Sequence, residues 1–137
     1  MITKIIPDKE KAKSILRMAE TTEKNINQII QEMGLGEHQS LLTREYYEVI
    51  RELVSAILFA DGFKAIGENA HKETIEHLLN YEEISEEEIS LIQDLRIRRN
   101  KSSYEGRPIK SPYLENSKNK FEDIINKLKK ILEKRLK

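Results

Sequence analysis

Thr43–Ala60, TREYYEVIRELVSAILFA, is the stretch on which the fold turns. Tyr46, Val49, Ile50, Leu53, Val54, Ile57 and Leu58 recur at the three- and four-residue steps of a helix. From Leu53 onward apolar side chains occupy nearly the whole circumference, with Ser55 the polar intrusion. A helix that is apolar on every side is buried on every side. The spacing therefore predicts a central helix from about Ser40 or Thr43 to Ala60, closed by Asp61-Gly62 and surrounded by other elements.

The flanking sequence supplies those elements, and nearly all of it reads helical. Upstream, Ala12, Ile15, Ala19, Ile26, Ile29, Ile30 and Met33 keep one stripe of a long first helix, interrupted at Thr22. Pro7 suits its first turn, and Gly34 and Gly36 in the loop that follows stop it. Weak helix formers across Thr22–Asn27 lead us to expect the first helix to be the least tightly held of the long ones. Downstream, Phe63–Asn69 reads as a link and Ala70–Leu79 as a short helix with Ile75, Leu78 and Leu79 turned inward. Ser85 and Glu88 form a capping box, so a fourth helix starts there with acids at its positive end. Ser111-Pro112 offers an N-cap and a first-turn proline for a last helix reaching Arg135, striped by Leu114, Phe121, Ile124, Ile125, Leu128, Ile131 and Leu132. β-branched alternation is nearly missing. The expectation is an all-α, up-and-down bundle of about five helices, with the last packed across the central one.

At 137 residues the chain fits a single domain, 1–137, with room for one core. It has no cysteine, which excludes disulfides, thiolate metal sites and a cysteine nucleophile. That suits a reducing cytoplasm, the expected location. No apolar run approaches the roughly 20 residues of a membrane span, and the N-terminus shows no secretory core. Lys plus Arg and Asp plus Glu both number 24, so any attraction to a polyanion has to be local.

One local concentration exists, in Leu91–Gly106, LIQDLRIRRNKSSYEG. Ile92, Leu95 and Arg96 fall at helical spacing, and Arg98-Arg99-Asn100-Lys101 follows toward the helix end. Cations near a helix C-terminus are stabilising by about 0.3–1 kcal/mol, which is the plain structural account of Arg96, Arg98, Arg99 and Lys101. The functional account is phosphate recognition, because the planar arginine fork matches phosphate oxygens and keeps its charge. Ser102 and Ser103 have no histidine in sequence range to activate them. Of the histidines, His38 lies in a loop, and His71 and His77 are six apart, which does not co-direct metal ligands; no metal site and no cofactor is expected. His71 reads as capping or lining the start of its helix.

Taken in order, the segment from about Thr43 to Lys130 resembles the HEPN domains, small all-α modules. The resemblance runs through Tyr47–Val54 of the central helix, the Asp61-Gly62-Phe63-Lys64 exit, His71 opening a short helix, and Arg99-Asn100…Tyr104-Glu105-Gly106. The family signature is an arginine, usually followed by a polar residue, with a histidine a few positions on. Arg99-Asn100 occupies the first part, and the residue five after Arg99 is Tyr104 rather than histidine. The resemblance implies a HEPN-like bundle that pairs as a homodimer around a shared cleft. It also implies metal-independent ribonuclease activity in members with the histidine, often as the toxin partner of a small nucleotidyltransferase antitoxin. Other members bind RNA or nucleotides, or serve structurally, without cleaving.

Carried onto this chain, the resemblance puts Arg99, Asn100 and Tyr104 in the catalytic positions and Arg96, Arg98, Arg99 and Lys101 in a nucleic-acid-binding role. A phenol ordinarily titrates near 10 and is a poor base at neutrality, so weak or no RNA cleavage is expected unless another group serves. Tyr104 can still donate to phosphate or stack on a base; its plain reading is a half-buried aromatic closing the helix. The expected function is thus an RNA- or nucleotide-binding component of a toxin–antitoxin or defence system, ribonuclease-like if active. The alternative is a non-catalytic protein that docks a nucleotidyltransferase through the motif face.

Overall fold

The computed structural model describes residues 1–109 and 112–137, and for Glu37 the backbone alone. The described residues form an all-α bundle of five helices with a two-stranded antiparallel sheet at one end. The helices are α1 (Lys9–Met33), α2 (Gln39–Asp61), α3 (Ala70–Glu76), α4 (Glu86–Glu105) and α5 (Tyr113–Leu136). Single 3₁₀ turns at Gly36–His38 and His77–Asn80 precede α2 and follow α3.

The central position of α2 follows from its composition, and the structure bears it out. Leu53, Val54, Ala56 and Ile57 are completely buried, as are Tyr46 and Tyr47 one to three turns earlier. Helix α1 lies along one side of α2, and α5 along another. Ala12 and Ala19 stand at the α1 interface, where their small side chains let the backbones approach. Among the described residues, no two helices run together over a longer stretch than α1 and α2. Thr21 and Thr22 bond back to the carbonyls of Arg17 and Met18, and α1 runs unbroken through them. Every apolar stripe residue expected on α5 is buried, and Phe121 packs its ring against Tyr46 at 5.7 Å. Lys129 pairs with Glu23 to tie α5 to α1, and Arg135 pairs with Asp61 to tie its end to α2.

Several local expectations are corrected. The link after α2 contains a strand, β2 (Phe63–Ala65), which pairs with β1 (Ile2–Lys4). Pro7 stands before the α1 N-cap, Asp8, whose carboxylate accepts from the Lys11 N–H. Leu79 is exposed, because the chain tightens into the 3₁₀ turn and rotates it away from the core, while Leu78 and Ile75 stay inside. At α5, Pro112 takes the N-cap position rather than the first turn; the expected cap Ser111 falls outside the described residues. Helix α4 starts at the capping box foreseen, with Ser85 accepting from Glu88 N–H and Glu88 accepting from Ser85 N–H. It continues to Glu105, where Gly106 turns left-handed, so Arg98–Lys101 lies inside the helix rather than at its end.

Candidate functional site

Helix α4 is anchored inward by Ile89, Ile92 and Leu95, and this fixes which way its cations face. Residues 96, 100 and 104 are four apart and share a face, as any i, i+4, i+8 series does. Arg96, Asn100 and Tyr104 line one side of a cleft of about 300 Å³. The opposite wall is the loop entering α3 and its first turn, including Glu68, His71 and Lys72. Tyr104 is 75% exposed, so it projects over the cleft and is not the half-buried plug expected.

Arg99 sits at the junction between this cleft and α2. Its Nη1 donates to the Tyr104 hydroxyl at 3.1 Å and its Nη2 donates to Glu48 Oε1 at 3.2 Å. The guanidinium also lies 5.5 Å from the Tyr104 ring centroid and 5.8 Å from that of Tyr47. Burial works against its charge, but the Tyr104 hydroxyl and the Glu48 carboxylate outweigh that and raise its pKa. The second Glu48 oxygen accepts from Arg51 Nη2 at 2.8 Å, so one carboxylate spans two guanidiniums.

The other two expected contacts face elsewhere. Arg98 is held by Asp94 at 2.9 Å and lies over the Tyr113 ring at 4.1 Å. With Lys101 and Arg107 it lines a separate cleft of about 180 Å³. The structure thus brings together Arg96, Arg99, Asn100 and Tyr104, and sets Arg98 and Lys101 on another side of α4. Arg96 is steadied by Gln93, which accepts from its Nε at 2.7 Å.

The residue that sequence reasoning undervalued is His71. It makes no capping bond; its Nδ1 lies 3.4 Å from the Tyr47 hydroxyl, and its ring faces the motif cleft. Partial burial of the ring lowers its pKa most, the Arg51 guanidinium next, with Glu48 opposing and Arg99 and Arg96 adding to the fall. Burial pushes the Tyr47 phenol up to about 12. A signal for His71 was present in the order of the resembling segments, but its distance from Arg99 in sequence hid their convergence. His77 packs between Phe63 and Tyr81, at 4.9 and 5.9 Å, and has a structural role. Among the described residues, no group of three or more His, Asp or Glu side chains could hold a metal ion. No helix among them is long and apolar enough to cross a membrane.

Chemically, the cleft offers two or three cations, the Glu68 carboxylate, an amide, a solvent-facing phenol and an imidazole around a space of nucleotide scale. No match to the chain was found among family models, curated proteins or solved structures.

Proposed function

We propose that this chain is an RNA- or nucleotide-binding domain of the HEPN type, acting in a toxin–antitoxin or defence system. The observation that carries the reading is the convergence of Arg96, Asn100 and Tyr104 from α4 with His71 and Lys72 from α3 around one cleft. Arginine and lysine there meet a phosphodiester, and the exposed phenol offers a face on which a base stacks. Net charge is zero, so it is a local grouping of this kind that draws in the polyanion. The homodimer and the nucleotidyltransferase partner implied by the resemblance belong to the same proposal, and sedimentation of the purified chain tests the first of them.

The binding test is fluorescence anisotropy of a labelled single-stranded RNA across a salt series. Affinity falls linearly with salt on logarithmic axes, and Arg96→Ala lowers that slope by about one phosphate's worth. Tyr104→Ala weakens binding by about 1–3 kcal/mol, the worth of one stacked base. Lys24→Ala, on α1, leaves both affinity and slope unchanged. Affinity indifferent to salt and to Arg96→Ala would sink the reading and return the motif face to protein docking.

A further inference from the structure

We propose that a second cleft, enclosed by α2, β2 and α3, binds a small aryl carboxylate, and that its occupant opposes RNA at the motif cleft next door. The site stands by itself; only the opposition rests on the RNA-binding reading. The depression holds about 190 Å³ and is lined by Arg51, Ser55 and Phe59 from α2, Phe63 and Lys64 from β2, and His71 from α3. Its size narrows the choice of occupant. An apolar cavity of about 150 Å³ takes a benzene ring, whereas drug-sized ligands occupy about 300–1,000 Å³. One ring with a short acid arm fills this cleft; a nucleotide would stand largely outside it.

The lining is graded along α2. Residues 51, 55 and 59 are four apart, so they make one row along the helix over about 12 Å. A guanidinium stands at one end of the row, a hydroxyl in the middle and an aromatic ring at the other end. Lys64 adds a second positive charge, and no carboxylate is found among the described residues that line the cleft. The motif cleft, by contrast, has Glu68 in its wall. The Arg51 guanidinium is not used up by the fold. Its Nη2 donates to Glu48 Oε2 at 2.8 Å, and its Nε is buried without a hydrogen-bond partner. A planar carboxylate is the acid whose shape an arginine fork matches. At the apolar end the two rings are already fixed: Lys11 lies over Phe59 at 4.3 Å, and His77 packs on Phe63 at 4.9 Å. An aryl group docks there on walls that need no reordering.

This cleft shares parts with the motif cleft. Ala70 and His71 line both. Glu48 holds Arg51 by one oxygen and Arg99 by the other. A carboxylate seated at Arg51 competes with Glu48 for that guanidinium and leaves Glu48 to Arg99, whose charge is then more fully cancelled. It also sets a second anion beside the RNA phosphate, with His71 between them. Both effects weaken RNA binding, and by linkage RNA weakens the carboxylate by the same factor.

The probe is hydrocinnamate, a phenyl ring two carbons from its carboxylate, titrated into the intact isotope-labelled chain and followed through backbone amide shifts. Saturable shifts are expected at residues 55, 63–65 and 70–74. Hydrocinnamide, the same shape without the charge, should bind about tenfold more weakly or worse, as should the acid to Arg51→Gln. Lys64→Gln, which alters an exposed side chain, should melt as the wild type does and lose about two- to fivefold in affinity for the acid. In RNA anisotropy, saturating hydrocinnamate should raise the Kd about fivefold or more, and hydrocinnamide should leave it unchanged. Shifts that fail to saturate or map elsewhere, or equal affinities for acid and amide, would overturn the site and leave the RNA-binding reading standing. Saturable binding with an unmoved RNA Kd would overturn the opposition. Absence of RNA binding by the ligand-free chain would remove the function proposed above and the opposition with it, while the site stands on its own titration.

Discussion

Glu48 holds two guanidiniums with one carboxylate, accepting from Arg51 at 2.8 Å and from Arg99 at 3.2 Å. The three side chains are 19–25% exposed, which places the cluster between two regimes. An exposed pair is worth about 0–1 kcal/mol, whereas removing one partner of a buried pair costs about 3–5 kcal/mol. Glu48→Gln should therefore cost about 1–2 kcal/mol, read as a lower urea midpoint at unchanged slope. The same change frees Arg99 and adds one unit of positive charge beside the cleft, so RNA affinity should rise at low salt. Lost stability with unaltered RNA affinity would take Arg99 out of the binding site. The pairing also shows what a sequence reveals at this scale. Tyr104 lies five positions after Arg99, and their contact is a matter of one helical turn. Glu48 is 51 positions upstream, and nothing in the spacing of either helix announces that they meet.

At the scale of the element, α4 was legible at its start and misread at its end, and the reason is locality. The capping box is written in four consecutive residues and forms as expected. Ser85→Ala should cost about 1 kcal/mol by leaving the Glu88 N–H without its acceptor. Glu88 also receives Lys127 Nζ at 2.9 and 3.0 Å, joining the helix start to α5. Burial alone would raise the Glu88 pKa; the Ser85 N–H, the Lys127 ammonium and the Ser85 hydroxyl outweigh it, and the folded value lies below the usual 4.5. A carboxylate depressed by folding stabilises above its unfolded pKa and loses that contribution as pH falls through the folded one. The stability gap between wild type and Glu88→Gln should be constant at neutral pH and shrink below about 4.5; a gap that is flat down to acid denaturation would contradict this. The helix end depended instead on whether Ser102 and Ser103, indifferent helix formers, would carry the helix on to Gly106. They do, and the last turn holds no basic residue. Arg98 and Arg99 are thus a turn or more from the negative pole, where the macrodipole account of them has little force.

For the whole molecule, the central place of α2 could be read because its apolar circumference leaves no solvent side, while the way the chain closes on it could not. The first eight residues run back over the end of α2, and three-residue strands some sixty positions apart carry too little pattern to be seen. Ile5 N–H bonds to Gly62 O at 2.8 Å and Asp8 N–H bonds to Phe59 O at 2.9 Å, so this segment leads directly into α1. Gly62 makes the approach possible in two ways. It is left-handed at φ +86°, and a Cβ there would stand 2.9 Å from Ile5 O and 3.1 Å from Pro7 Cγ. Gly106 is the natural control, left-handed at φ +67° with open space where its Cβ would be. Gly106→Ala should then lose about 1–2 kcal/mol, the cost of a side chain in that conformation alone. Gly62→Ala pays the same and must also push backbone away from backbone, for about 1–3 kcal/mol more. Urea denaturation of the two variants separates the terms, because the conformational part is common to both. An equal loss would mean that the N-terminal segment gives way freely at Ile5, and that β1 and β2 contribute little to holding α1 in place.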